Sequence, residues 1–291
     1  MTYVLVTILL VQVLSHFAPD LARLRRYDWL PAWAGWLAAR IDADTWRGNG
    51  YTVLAVLGVP LLVVAVVQAL LADPMHGLPG FLFAVAVLYY AWGPRDLDRD
   101  VEAAAAADVL DRPLVIRSAF TEAVPTSAPA AAGLVGRAAQ RRWFGPMLWF
   151  VIHGPFGALL YRLADLVAHD DSAVLPPEQQ TVAMRLQAIL NWPVAPLIAL
   201  GTAVATDFDT VFSAWRARLA QTGGPFVFDA LLVPIVVAAG VKADLEDEGV
   251  ADDLGYTDAD IVLRDALNVV WRVLIVWMAI LALVALVSLL A

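Results

Sequence analysis

The stretch Arg141–Asp165, RRWFGPMLWFVIHGPFGALLYRLAD, decides how the rest of the chain is read. Two arginines and a tryptophan open it, an apolar run follows, and Tyr161 and Arg162 close it. The run from Phe144 to Leu160 is 17 residues, at the short end of the roughly 17–25 that cross a bilayer as a helix. Lipid offers backbone amides no partners, so a continuous helix is the favoured state of such a run. Gly154 and Pro155 interrupt it. Pro155 has no N–H, so the carbonyl of Val151 loses its helical donor. Either the span kinks and neighbours meet the freed groups, or two half-helices join there. Both readings make the middle of the stretch a candidate site. A packing kink with no chemistry accounts for the same residues.

Composition places this stretch in a membrane. The chain has 291 residues, 61% hydrophobic and 16% charged, with a mean hydropathy of +0.71. Soluble domains run near 45–50% apolar and about 25% charged. Thr52–Ala72 has 21 residues without a charge, and Arg272 is the sole charged residue of the last 22. Net charge is −9, which excludes nucleic acid as an expected partner. With no cysteine, thiol catalysis, thiolate-held zinc and disulfides are excluded.

In chain order, clear spans are expected at about 52–72, 79–93, 144–163 and 269–290, with shorter apolar segments at 2–17, 197–205 and 226–241. Between segment 2–17 and span 52–72, Ala18–Tyr51 carries arginines together with Trp29, Trp33, Trp36 and Trp46. Arginine beside a span marks the cytoplasmic side, and tryptophan suits the headgroup level. The i, i+4, i+7 spacing of Trp29, Trp33 and Trp36 predicts one helical face on the inner leaflet or against protein. Spans 52–72 and 79–93 form a hairpin with its tip, Asp73–Leu78, outside. Leu97–Leu110 reads as an alanine-rich helix and Ala123–Gly136 as a loose connector. The two half-hydrophobic segments after Glu178 read as interfacial or re-entrant helices, and Lys242–Asp260 as solvated acidic chain. The expected fold is an all-α integral membrane bundle. It has a transmembrane hairpin, a kinked central span, broken or re-entrant apolar helices and a C-terminal transmembrane helix, in one domain over 1–291.

Three groups of residues could carry chemistry. His153, Tyr161, Arg162 and Asp165 lie in or at the end of the central span, and Asn191 could add a buried amide. Ionisable groups at membrane depth are functional candidates by default. An Arg162–Asp165 pair one turn apart that simply closes the helix is the structural alternative. Asp96, Asp98 and Asp100 are dense enough to hold Mg²⁺ with a nucleotide phosphate, or to be an acidic helix start. Arg95, Arg137, Arg141 and Arg142 could receive a phosphate or an anionic headgroup, or anchor the chain on the positive side. No complete catalytic motif is present.

Arg141-Arg142-Trp143-Phe144-Gly145-Pro146-Met147-Leu148-Trp149-Phe150 and Gly154-Pro155-Phe156-Gly157-Ala158-Leu159-Leu160-Tyr161-Arg162-Leu163 resemble the AmpE family, a branch of the CobD/CbiB superfamily. Gly93-Pro94-Arg95-Asp96-Leu97 and Leu190-Asn191-Trp192 add to the likeness. The resemblance implies a multi-pass protein of the bacterial inner membrane, linked to β-lactamase induction, cell-wall stress and the antibiotic response. It implies a regulatory or sensory role with no required cofactor. Its partners would be the bilayer and a small anionic or muropeptide-like ligand or another membrane protein. CobD/CbiB relatives are ATP- and Mg²⁺-dependent amide ligases, and a divergent ligase or transferase is the alternative expectation. Those ligases carry Glu-Asn-x-x-Asp where this chain has Arg137-Ala138-Ala139-Gln140-Arg141, and an acidic pair near the place of Gln187-Ala188-Ile189-Leu190. The acids are absent, so the expectation leans away from catalysis.

Overall fold

A computed structural model describes residues 2–17, 23–71, 77–93, 95–120, 122, 124–169, 174–224, 229–247, 249 and 259–290. Among them are helices and no strand. In chain order the helices are α1 (Thr2–Phe17), α2 (Trp29–Ala38), α3 (Ala43–Gly48), α4 (Val53–Leu70), α5 (Gly77–Ala91), α6 (Leu97–Ala106), α7 (Arg112–Phe120) and α8 (Ala128–Ala139). A π-helical turn, Gln140–Phe144, joins α8 to α9 (Gly145–His153). Then come α10 (Pro155–Ala168), α11 (Pro177–Asn191), α12 (Val194–Ala205), α13 (Phe208–Thr222), α14 (Leu232–Asp247) and α15 (Ala259–Leu290). Two helical segments are long and apolar enough to cross a membrane, Gly50–Leu70 and Ala259–Leu290. Helices α1 and α5 are apolar but shorter. The expected hairpin tip, Asp73–His76, and much of the acidic segment before Asp260 lie outside the described residues.

The chain divides into two compact units, one of Thr2–Pro94 with Gly145–Asn191, the other of Arg95–Phe144 with Trp192–Ala291. In the first, the stretch expected as a span at 144–163 is not one helix. Gly154 adopts φ 66°, ψ −150°, a conformation open to glycine, and the chain reverses there. A Cβ on Gly145 would lie 2.0 Å from the Tyr161 ring, and one on Gly157 would lie 2.1 Å from the carbonyl oxygen of Trp149. On a continuous helix, Gly145 and Tyr161 would be about 24 Å apart, at 1.5 Å per residue. The two half-helices therefore fold back on each other, and glycines let their backbones meet. Behind them, Leu159, Leu163 and Val167 of α10 join Leu30, Ala34, Trp46, Val53 and Leu57 in one buried apolar cluster.

Of the tryptophans predicted to share one face of α2, Trp33 and Trp36 do so, stacking with ring centroids 5.0 Å apart. Trp29 and Trp36 are exposed, while Trp33 Nε1 donates to the carbonyl of Val56 at 3.1 Å. Val56 is four residues before Pro60, so its carbonyl has no helical donor. The Trp33 indole supplies the missing donor.

In the second unit, Ala123–Gly136 is not the loose connector its composition suggested. Ser127 caps a helix from Ala128, and Pro129 stands in its first turn, where a missing N–H costs nothing. Small residues then let α8 lie against α14: a Cβ on Gly133 would come within 2.9 Å of Pro234. The aromatic residues Phe144 and Trp277 pack with ring centroids 5.0 Å apart. Between α13 and α14, Arg218 grips Asp229 with two hydrogen bonds, of 2.6 and 2.8 Å. The guanidinium holds the Asp229 carboxyl below the usual carboxylate range.

Two expectations follow. Gly157→Ala lowers the thermal midpoint, a loss of about 1–3 kcal/mol from overpacking against rigid backbone, whereas Gly58→Ala, with open space at its Cβ inside α4, keeps or raises it, a gain of up to about 1 kcal/mol. Equal midpoints in the two variants would contradict the hairpin. Because the folded pKa of Asp229 is depressed, its contribution is present above the unfolded value near 3.9 and fades as pH falls through the lower folded value. Asp229→Asn should flatten that part of the acid-side stability profile, measured by denaturant unfolding between about pH 2 and 5.

Candidate functional site

The hairpin and its neighbours hold the buried polar groups of the first unit. Arg162 and Asp165 are 1% and 2% exposed. Arg162 donates from Nε to the carbonyl of Ala91 at 2.8 Å and from a terminal nitrogen to Asp165 Oδ2 at 3.2 Å. The other oxygen of Asp165 accepts from the side-chain amide of Gln187 on α11. His169, one turn on, sets Nδ1 2.9 Å from the carbonyl oxygen of Asp165. Tyr161 donates to Asn191 Oδ1 at 2.7 Å, and Trp149 Nε1 donates to the carbonyl of Leu190 at 3.0 Å. An apolar core would reject an isolated charge, but here the cation, its counter-ion and an amide meet each other's hydrogen-bonding capacity.

Arg162 also serves the end of α5, whose last carbonyls have no helical donors. Ala91 accepts from Arg162, Tyr90 from the Tyr27 hydroxyl, and Gly93 from Arg25 at 3.2 Å. Arg25 is 5% exposed, reaches Ser15 Oγ at 2.6 Å and stacks 4.0 Å above the Tyr89 ring. Two guanidiniums at a helix C-terminus also meet its negative dipole end. Burial pushes the Tyr27 hydroxyl up to about 12, against a lowering by Arg162, so it stays protonated and donates.

The hairpin turn has its own support. Gln68 on α4 donates from Nε2 to the carbonyl of His153 at 3.1 Å and accepts from the N–H of Phe156 at Oε1, 2.9 Å. One amide thus serves the last carbonyl of α9 and an early N–H of α10. His153 is exposed at this turn and stacks on Trp149 at 5.6 Å. Of the five predicted ligand residues, Arg162 and Asp165 form one pair and Tyr161 and Asn191 another, with His153 at the turn. Gln68, Gln187, Arg25 and Tyr27 were not foreseen. Gln68 had a readable signal, being the one polar side chain between Thr52 and Ala72.

The predicted acids and arginines of the second unit also have defined places. Asp96 caps α6, accepting from the N–H of Asp98 at 3.1 Å. Asp98 accepts from Trp271 Nε1 at 2.7 Å. Asp100, 3% exposed, lies between Arg142 at 2.7 Å and Arg95 at 3.0 Å. These arginines also reach the carbonyls of Ala119 and Ser118 at the end of α7, at 2.7 and 3.1 Å. Arg137 and Arg141 approach Glu122 at 2.8 and 3.8 Å. Among the described residues, no group of three or more His, Asp or Glu is disposed to hold a metal ion.

No family model matches the chain, and no curated protein and no solved structure matches it either.

Gln68→Leu should leave the His153 carbonyl and the Phe156 N–H without partners, costing about 1–3 kcal/mol. Limited proteolysis should then cut near Gly154 in the variant first. Identical thermal midpoints and cleavage patterns in both proteins would show that the amide is incidental.

Proposed function

We propose that this chain is a multi-pass protein of the bacterial inner membrane with a regulatory or sensory role of the AmpE type, linked to β-lactamase induction and cell-wall stress. The observation that carries the regulatory over the catalytic reading is the engagement of Asp100. A carboxylate that would hold Mg²⁺ for nucleotide chemistry instead lies buried between two guanidiniums. Asp96 and Asp98 are turned to a backbone N–H and an indole.

The ligand of this reading is a small anion of the muropeptide type, met at the hairpin. Its carboxylate would compete with Asp165 for Arg162, one residue along α10 from the Tyr161 that donates to Asn191. Exchange of one carboxylate for another keeps the charge balance. It also releases Asp165 and Gln187, so occupancy alters the grip of α10 on α11. That coupling is what a sensor needs: a ligand that binds two packing states unequally shifts their populations.

A ligand that binds only the folded chain raises its melting temperature by mass action. In detergent, a muropeptide should raise the midpoint of wild type and of Asp96→Ala. It should not raise that of Asn191→Ala or Arg162→Ala, the first keeping the buried ion pair intact. A Mg²⁺-ATP shift abolished by Asp96→Ala would instead favour the divergent ligase. No shift with either would favour a structural partner of another membrane protein.

A further inference from the structure

The first unit holds a cavity of about 890 Å³ that neither the hairpin nor the buried ion pairs explain. It is lined by Ala38, Trp46 and Arg47 on one side and by Val174, Leu175 and Glu178 on the other. Its size is within the roughly 300–1,000 Å³ of ligand sites, and it is an open cleft whose lining mixes apolar residues with charged and polar ones. Arg47 and Glu178 are both exposed, and among the described residues neither is engaged in an ion pair, although most arginines here hold a carbonyl or a carboxylate. The walls are well fixed: Gln179 is fully buried and its Nε2 donates to the carbonyl of Trp46 at 2.8 Å, tying the end of α3 to the start of α11.

The position of this cavity along the membrane-length helix narrows its occupant. Gly50, first residue of the apolar segment Gly50–Leu70, touches the backbone of Glu178: a Cβ there would lie 2.6 Å from its carbonyl oxygen. The 18 residues of α4 are ~27 Å long, close to the hydrocarbon thickness of about 30 Å. The cavity therefore opens at the level where hydrocarbon gives way to headgroups. Exposed Trp29 and Trp36 on neighbouring α2, and Arg40 stacked 3.4 Å over the Trp36 ring, suit the same level.

We infer that this cavity binds a zwitterionic phospholipid of the phosphatidylethanolamine class. Its phosphate meets Arg47, its ammonium meets Glu178, and its glycerol and first methylenes rest on Trp46, Val174, Leu175 and Ala38. A guanidinium gives a phosphate oriented N–H donors, and a carboxylate accepts from an ammonium that still carries hydrogens. Choline, with none, forfeits those hydrogen bonds. The site rests on the membrane reading above and not on the regulatory role.

Native mass spectrometry of the detergent-purified full chain tests it, with phosphatidylethanolamine, phosphatidylglycerol, phosphatidylcholine and inorganic phosphate as probes. Wild type should retain phosphatidylethanolamine over phosphatidylcholine. Arg47→Ala should weaken that retention about tenfold, and Glu178→Gln should shift the preference toward phosphatidylglycerol. Both residues are exposed, and unchanged midpoints would show that the variants fold. Equal retention in Arg47→Ala, or displacement of the lipid by inorganic phosphate at matched concentration, would overturn the assignment. Carbonate extraction separates the premises. A chain released from membranes defeats the membrane reading, whereas a retained chain whose lipid binding ignores Arg47 defeats this site alone.

Discussion

The structure depends on supplying donors to backbone carbonyls where helices end or break among apolar residues. A helix leaves its last four carbonyls without partners, and an internal proline frees another. In water these groups are solvated; in an apolar setting each bare carbonyl costs several kcal/mol. The chain answers with side chains that donate from a distance. Arg25, Tyr27 and Arg162 serve the end of α5, Arg95 and Arg142 the end of α7, and Arg272 the carbonyl of Ala205 at the end of α12. Trp33 serves the carbonyl freed by Pro60, and Trp149 the carbonyl of Leu190 at the end of α11. Arginine suits this work because several donors and a positive charge arrive together at the negative end of a helix dipole. It needs a counter-ion when buried, and Asp165 and Asp100 supply it.

The same constraint explains the hairpin. Reversing an apolar helix at Gly154 exposes both a carbonyl and an N–H, and a carboxylate or an ammonium could match only one of them. A side-chain amide carries an acceptor and donors on one planar group. Gln68 is placed where both halves are used, while Gly145 and Gly157 remove the side chains that would keep α9 and α10 apart. Polar bridging and close backbone approach are thus both needed: an amide without the glycines would meet a splayed turn, and the glycines without the amide would bury unpaired groups.

Much of this was legible from composition and punctuation. Apolar run lengths placed spans at about 52–72 and 269–290, which fall within or across the membrane-length helical segments Gly50–Leu70 and Ala259–Leu290, and Gly154-Pro155 marked the break. The spacing of Arg162 and Asp165 predicted their pairing. What could not be read was long-range. Gln68 is 85 residues from His153, and Arg162 is 71 from Ala91, so no local pattern connects them. The α2 tryptophans show the same limit: helical spacing put Trp33 and Trp36 on one face, where they stack, but gave no sign that Trp33 also donates to the carbonyl left by Pro60. Helix α8 was missed for another reason. Its alanine, proline and glycine content resembles a linker until Pro234 and Val237 are known to lie against it.

These pairings also decide which ligands the buried charges admit. Turning Asp100 into a cation ligand means removing it from two guanidiniums and leaving them unpaired, a break of the kind that costs about 3–5 kcal/mol in a buried pair. Asp96 and Asp98 would have to abandon a helix cap and an indole as well. The Arg162–Asp165 pair is as deeply buried, so an anion there would have to replace Asp165 as the counter-ion while the guanidinium keeps its bond to Ala91. Asp165 Oδ1 accepts from Gln187, and His169, 43% exposed, stands 3.6 Å from the same oxygen. The cation is fixed by the end of α5 and its counter-ion by Gln187 of α11. Under the regulatory proposal an anion would take the place of that counter-ion, whereas the acids of α6 are each committed to a helix cap, an indole or two guanidiniums.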